Sequence, residues 1–250
     1  MRRFWEDAVR PCFDAAGVRR VVEIGSDHGE NTVKLVNYAV EKNGFVYSID
    51  PAPQFDYEET FRGREAFYQF LKTTSVNALS GITDYDAILI DGDHNYYTVY
   101  TELQLVLRNA ARFPLVFFHD VSWPYDRRDL YYNPETIPPA WQNAYKMSGI
   151  DPDTDELNDK GFNHKLYNSL SYTNYRCGVL TAVEDFLREN EPRFSFVMVP
   201  IMSGLGILVD RNQTYPQELY DRIRELTPTA PLARMMRFSD KWFGKAHRRL

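Results

Sequence analysis

Val21-Val22-Glu23-Ile24-Gly25-Ser26-Asp27-His28-Gly29 decides how this chain folds. The apolar run Val21 to Ile24, broken only by Glu23, reads as a buried strand. Gly25 permits a tight strand-to-helix turn without a Cβ clash, and Gly29 lets the following helix start close to a ligand. A second carboxylate, Asp50, ends the next apolar run, Phe45 to Ile49. Strand, glycine turn and helix together place backbone N–H groups and two acids at one end of a parallel sheet. That is where α/β proteins hold adenosine-containing cofactors. The spacing Glu23-x-Gly25-x-x-x-Gly29 lacks the third glycine of the dinucleotide fingerprint, which disfavours a dehydrogenase.

Outward from this turn, strand and helix alternate. A helix over Trp5 to Ala16 ends at Gly17, and the first strand is Arg20 to Ile24. A helix from Gly29 to Lys42 follows, then the turn Asn43-Gly44 and the strand Phe45 to Ile49. A helix over Glu58 to Arg64 and a strand over Ala66 to Lys72 come next. Asp86 to Ile90 and Leu115 to Phe118 are further strands, joined by a helix over Tyr97 to Ala111 with Val99, Leu103, Val106 and Leu107 on one face. After the stretch from Val121 to Cys177, which has no sustained periodicity, a helix runs from Val179 to Arg188. The strands Phe194 to Val199 and Leu205 to Val209 are so closely spaced that they must form an antiparallel hairpin. The expected fold is therefore α/β: a Rossmann-like, doubly wound sheet of seven strands, mainly parallel, closed by an antiparallel hairpin. Residues 1–226 form the domain, 121–177 an inserted lid or acceptor-binding segment, and 227–250 a basic tail.

Composition sets bounds. The 250 residues are 44% hydrophobic and 26% charged, ordinary for a globular chain. A net charge of −6 excludes a general nucleic-acid binder. Cys12 and Cys177 alone point to a reducing compartment, and no stretch has the apolar length of a membrane span or signal. A cytoplasmic protein is expected, with self-association left open.

Two further constellations lie just past predicted strand ends: Asp91-Gly92-Asp93-His94 and His119-Asp120. Carboxylates and imidazoles converging there make a divalent-metal site or an acid–base site. A helix cap or loop hydrogen bond is the plainer account of any one of them, but a poor account of the whole set.

The order VVEIGSDHG, VYSID, DAILIDGDHNYYTVYTELQL and LVFFHD, covering Val21 to Asp120, resembles the class I S-adenosylmethionine-dependent methyltransferases. More narrowly it is similar to the macrocin-type branch of small O-methyltransferases that act on sugars. The resemblance implies that Glu23, Gly25, Ser26 and Gly29 hold the methionine part of the cofactor, Asp50 its ribose, and Ser75 and Val76 the adenine edge. It implies a divalent ion such as Mg or Mn at Asp91, His119 and Asp120, with Asp93 as general base. His119 replaces the carboxylate usual in that branch, and imidazole suits Mn, Fe or Zn better than Mg. Without a metal, His119 or His94 is the candidate base. The implied acceptor is a hydroxyl of a sugar or glycoconjugate. Alternatives are another small-molecule hydroxyl, or a non-catalytic cofactor-binding component of a glycan assembly complex. A hydrolase or hydroxylase on the same sheet has no need of Glu23 and Asp50.

The insertion is rich in aromatics, among them Trp123, Tyr125, Tyr131, Tyr132, Trp141 and Phe162, which stack on sugar rings or pack the segment onto the domain. Arg127-Arg128 is a candidate phosphate contact or a solvated pair. From Ala233 to Leu250 six basic residues face one acid, Asp240, with Met235, Met236, Trp242, Phe243 and Ala246 near helical spacing. Such a helix lies on an anionic membrane, docks on a partner, or packs on its own domain.

Overall fold

The computed structural model describes residues 1–246, with side chains of the last helix described through Ser239 and at Lys241. In chain order the elements are α1 (Arg10–Ala16), β1 (Arg20–Ile24), α2 (Glu30–Lys42), β2 (Phe45–Ile49), α3 (Tyr57–Thr60), β3 (Tyr68–Leu71), α4 (Ser75–Ala78), β4 (Ala87–Ile90), α5 (Tyr96–Asn109) and β5 (Leu115–His119). The insertion carries β6 (Leu130–Tyr131), β7 (Tyr145–Met147), β8 (Gly149–Ile150), β9 (Leu157–Asn158) and β10 (Tyr167–Ser169). Then come α6 (Val179–Glu189), β11 (Phe194–Val199), β12 (Leu205–Asp210), α7 (Gln217–Leu226) and α8 (Ala230–Ala246).

The main sheet has seven strands in the order β11-β12-β5-β4-β1-β2-β3. β3, β2, β1, β4 and β5 run parallel, and β12 pairs antiparallel with β5 and with β11. The expected sheet and hairpin are both present. Successive residues of the central strands alternate between two cores. Ala87 and Leu89 of β4, with Leu115 and Phe117 of β5, pack under α1, α2 and α7. Ile88, Ile90, Val116 and Phe118 pack under α5 and α6. Both faces are covered, so the strands read as continuous apolar runs. The strand order reverses between β1 and β4, which opens a crevice beyond their C-terminal ends.

Several boundaries differ from the sequence reading. The first helix begins as a 3-10 turn, Arg2–Phe4, and a π turn, Trp5–Val9, before α1. The helix expected over Glu58 to Arg64 is only the single turn α3, capped by the Asp56 side chain. α7 went unrecognised; it is mostly polar and buries only Leu219 and Ile223. The insertion is more ordered than its lack of periodicity implied. β6, β10 and β7 form a three-stranded sheet and β8 and β9 a two-stranded one, over a small core of Trp123, Tyr125, Leu130 and Ile150. Strands of two or three residues are too short to display an alternation.

Cys12 and Cys177 are buried free thiols. Among the described residues no helix is long and apolar enough to cross a membrane. α8 runs through the described part of the tail, while Arg248 and Arg249 and the side chains of Trp242, Phe243 and Ala246 lie outside the described residues.

Candidate active site

Gly25 leaves β1 at φ +86°, a left-handed conformation, and a Cβ there would sit 2.2 Å from the carbonyl oxygen of Asp91. The turn is therefore pressed against the end of β4 with no room for a side chain. Asp50 at the end of β2 fastens it from the other side. Its Oδ2 accepts from Ser26 N at 2.9 Å, Ser26 Oγ at 3.0 Å and Asp27 N at 3.0 Å, and its Oδ1 accepts from Ala52 N at 2.8 Å. Only Oδ1 keeps acceptor capacity for a ribose hydroxyl.

Two cavities open at these strand ends. The larger, about 590 Å³, is lined by Gly25, Asp50, Ser75, Val76, Asp91 and Asp93, with Tyr132, Thr136 and Ile137 of the insertion over it. The smaller, about 310 Å³, holds Ser26, Asp91, His94, His119 and Asp120, closed by Tyr125, Phe162 and Asn163 of the insertion and Ser203 of the hairpin. Gly25, Asp27, Asp91 and Tyr132 line both. Tyr132, 53% exposed, is the one insertion residue in that set, and its ring meets His94 edge-on with centroids 5.8 Å apart.

Four titratable groups meet in the smaller cavity. His119 Nδ1 lies 2.6 Å from Asp120 Oδ2 and 3.2 Å from Asp91 Oδ1. His94 Nε2 lies 3.3 Å from Asp120 Oδ2 and 3.8 Å from Asp91 Oδ1, and its buried Nδ1 has no hydrogen-bond partner among the described residues. The Met1 amino group also reaches Asp91. Burial opposes charge on His119, but Asp91 and Asp120 outweigh it and push the imidazole up to about 10. Burial raises Asp91 and Asp120 as well; the cations around them prevail, His119 first for Asp91 and His94 first for Asp120, and both acids stay well below the usual carboxylate range. His119 is thus an imidazolium clamped between two carboxylates. Asp120 reaches this position with φ +59°, a strained conformation that turns its side chain back towards the imidazoles.

Five of the sequence-derived assignments change. Glu23 does not face either cavity. It is buried, and accepts from Asn31 Nδ2 at 2.9 Å, Thr32 Oγ1 at 2.7 Å and Ser48 Oγ at 2.6 Å, tying β1 to β2 and α2. Burial raises its pKa. Gly29 likewise approaches the Phe55 ring, where a Cβ would sit at 2.7 Å, and lines neither cavity. Asp93 opens only onto the larger cavity, where it accepts from Thr98 Oγ1 at 3.1 Å and burial raises its pKa. The metal-competent trio is Asp91, His94 and Asp120, whose ligand atoms lie within 4.8 Å of one another, with His119 bound to both carboxylates rather than completing the trio. Arg127 forms a bidentate pair with Glu184 at 2.5 and 2.7 Å, and buried Arg128 donates to the carbonyls of Ser169 and Asp155; neither faces a cavity.

Since Glu23 acts through the fold, Glu23→Gln should change S-adenosylhomocysteine affinity by less than about twofold while lowering stability by about 1–2 kcal/mol. Calorimetry and urea denaturation on the same preparation measure both; a large loss of affinity at unchanged stability would restore Glu23 to the cavity wall.

The sequence did not single out Tyr97, Thr98, Thr136, Ile137, Asn163 or Ser203 as lining residues. Tyr97 and Thr98 directly follow the Asp91-to-Tyr96 motif and could have been found there; the others arrive through tertiary packing alone.

Residues 22–121 match a family model described as a methyltransferase domain. That matched segment is a methyltransferase domain. It runs from β1 through β5 to the residue after Asp120. No curated protein matches the sequence. Among solved structures, the chain is similar to a Podospora anserina methyltransferase bound to S-adenosylhomocysteine (13% identity, TM-score 0.44, 81% of this chain and 76% of that one). It is also similar to a Burkholderia thailandensis didemethyltoxoflavin N1-methyltransferase (16%, TM-score 0.45, 84% and 80%). A third is a putative caffeoyl-CoA O-methyltransferase from Staphylococcus aureus (12%, TM-score 0.41, 79% and 78%).

Proposed function

We propose that this chain is an S-adenosylmethionine-dependent methyltransferase, with the cofactor in the larger cavity, and that it transfers a methyl group to a hydroxyl of a sugar or glycoconjugate held in the smaller one. The observation that carries the reading is that Asp91 belongs to both cavities. A methyl donor in one and a hydroxyl in the other meet across the opening framed by Gly25, Asp27, Asp91 and Tyr132. The smaller cavity has room for about one ring, with apolar faces from Tyr125, Tyr132 and Phe162 and polar groups from Asn163 and Ser203 at its rim.

When bound, S-adenosylmethionine supplies an electrophilic methyl group on its sulfonium. The protein must orient the hydroxyl in line with that methyl and receive its proton. Only where no cation binds is His94, 3.3 Å from Asp120 through Nε2, the candidate to receive it; as a metal ligand it is not a base. His119, already protonated, is no base and instead balances the charge of Asp91 and Asp120. The donor set of Asp91, His94 and Asp120 fits a divalent cation, with imidazole favouring Mn, Fe or Zn over Mg. A cation there would lower the hydroxyl pKa.

The test is methyl transfer from labelled S-adenosylmethionine to panels of hexosides and of phenols, before and after chelation and with Mn restored. Transfer to hexosides that falls on chelation and returns with Mn is expected. Transfer to phenols alone moves the acceptor to the natural-product class, and cofactor binding without any transfer points to a non-catalytic role. Activity indifferent to chelation leaves His94 as the base without a metal.

The tail supports a peripheral contact with anionic membrane, because α8 exposes Leu232, Met235 (71%) and Phe238 (68%) at three-residue spacing between exposed Arg234 and Arg237. Its Lys241 meets Asp155 of the insertion at 2.9 Å, which ties α8 to the segment that closes the smaller cavity. The full chain should float with phosphatidylserine vesicles, and a chain ending at Thr227 should not. Equal flotation of the two removes the membrane contact.

A further inference from the structure

Asp91 and Asp120 are placed by the sheet, just past the ends of β4 and β5, but His94 is not. It lies in the loop between β4 and α5, and the groups that fix it come from the insertion. Its carbonyl oxygen accepts from Leu130 N at 2.9 Å. Its ring is faced by those of Tyr125 and Tyr132, with centroids 5.5 and 5.8 Å away. Two residues on, Tyr96 N, the first amide of α5, donates to Asp129 Oδ1 at 2.7 Å. Asp129 and Leu130 therefore grip the His94-to-Tyr96 segment at both ends, one through its carboxylate and the other through its amide.

Asp129 is 1% exposed and sits where three parts of the molecule meet. Its Oδ1 also accepts from the amide of Gly178, the residue that caps the start of α6, at 2.8 Å. Its Oδ2 accepts from the Tyr131 hydroxyl at 2.8 Å and from Asn143 Nδ2 at 2.6 Å, both in the insertion. Its main chain is paired with β10: Ser169 N donates to the Asp129 carbonyl at 2.9 Å, and Asp129 N donates to Ser169 Oγ at 3.1 Å. Burial raises the Asp129 pKa, and the four donors on its carboxyl group oppose that rise. Two of the four open helices, where the free amides and the helix dipole favour an anion.

The remaining bonds of the loop are local. Asn95 Oδ1 caps Thr98 N at 2.9 Å, and Asp93 Oδ2 accepts from Thr98 Oγ1 at 3.1 Å. These tie the loop to its own helix, and neither reaches Asp91 or Asp120. The distance from His94 to the two acids is thus set by how the insertion sits on α5.

We propose that Asp129 is a positioning residue: by joining Tyr96 and Gly178 to Tyr131 and Asn143 it seats the insertion on α5, and so holds His94 where it shares a cation with Asp91 and Asp120. The inference rests on the reading of those three residues as a cation site. It adds that the site is complete only while the insertion is seated. Asp129 lines neither cavity, and its effect passes through His94.

The probe is Mn²⁺ alone, titrated into the full chain. Calorimetry reads its affinity, and the spin-echo modulation from an imidazole nitrogen reads whether histidine is bound to it. The wild type should show that modulation, and His94→Ala should lose it. Asp129→Asn keeps the side chain's shape but replaces one acceptor oxygen with a donor. It should lower Mn²⁺ affinity about tenfold and weaken the modulation, the usual cost of disturbing a group that orients a metal ligand. In the His94→Ala background the same change should cost less than about twofold, because the residue it acts through is gone. Tyr131→Phe removes a single donor, and should give a loss of about threefold that also vanishes in His94→Ala. Urea denaturation checks that each variant is folded, and Tyr131→Phe carries the test if Asp129→Asn is not. A purely structural Asp129 would cost the same factor in both backgrounds and leave the modulation intact, and either result overturns the inference. A wild type that binds no Mn²⁺ overturns the cation-site reading instead, and the inference with it.

Discussion

Asp91→Asn should reduce methyl transfer by about 10²–10⁴-fold, the range expected when acid–base and electrostatic help to a reacting hydroxyl is withdrawn. The carboxylate is the one acid that both cavities share as a partner of the imidazoles. It lies 3.2 Å from His119 and 3.8 Å from His94. An amide of the same shape keeps the loop but removes one of the two charges that hold His119 protonated. The His119 pKa should then fall from about 10 towards its ordinary value. A neutral His119 no longer balances Asp120, and the metal-competent trio loses an anionic ligand. Rates with the acceptor found by the panel, together with calorimetry of S-adenosylhomocysteine, separate turnover from binding. A variant within about threefold of wild-type turnover would remove Asp91 from the chemistry.

Gly25→Ala should abolish measurable cofactor binding and destabilise the domain by about 3 kcal/mol or more, through a left-handed backbone and an overpacked contact. The added carbon would sit 2.2 Å from the Asp91 carbonyl oxygen, 2.6 Å from its carbon and 2.7 Å from Gly92 Cα. All three are backbone atoms at the end of β4, and none can rotate away. The turn can yield only by moving off the sheet, which would break the bonds from Ser26 and Asp27 to Asp50. Urea denaturation and calorimetry read the two effects. Gly17→Ala is the control: Gly17 has φ +67° but nothing within 4 Å of a Cβ, so it carries the backbone strain without the collision. Equal losses in the two variants would show that close approach contributes nothing at Gly25.

The strands were legible because burial on both faces leaves few alternatives to an unbroken apolar run. Ala87 to Ile90 and Leu115 to Phe118 fill both cores by turns, and that requirement is written residue by residue. The hairpin was legible for a different reason, since five residues between Val199 and Leu205 cannot make a parallel crossover. α7 was missed because only Leu219 and Ile223 reach the core. The insertion shows no periodicity because its strands take their stability from partners such as Tyr131 against Tyr167, distant in sequence.

The site divides along the same line. By itself the sequence determined the doubly wound sheet, the glycine turn, and which acids and imidazoles end the strands, because strand ends and turns are local properties of the chain. Only the tertiary structure decided what those side chains face. Glu23 turned inward because Asn31, Thr32 and Ser48 surround it. Asp93 turned to the larger cavity, where Thr98 meets it, and His94 joined Asp91 and Asp120. Tyr132 came across from the insertion to stand between the two cavities. Motif spacing places a Cα at a strand end, but the direction of a carboxylate is set by donors and neighbours that other elements bring to it.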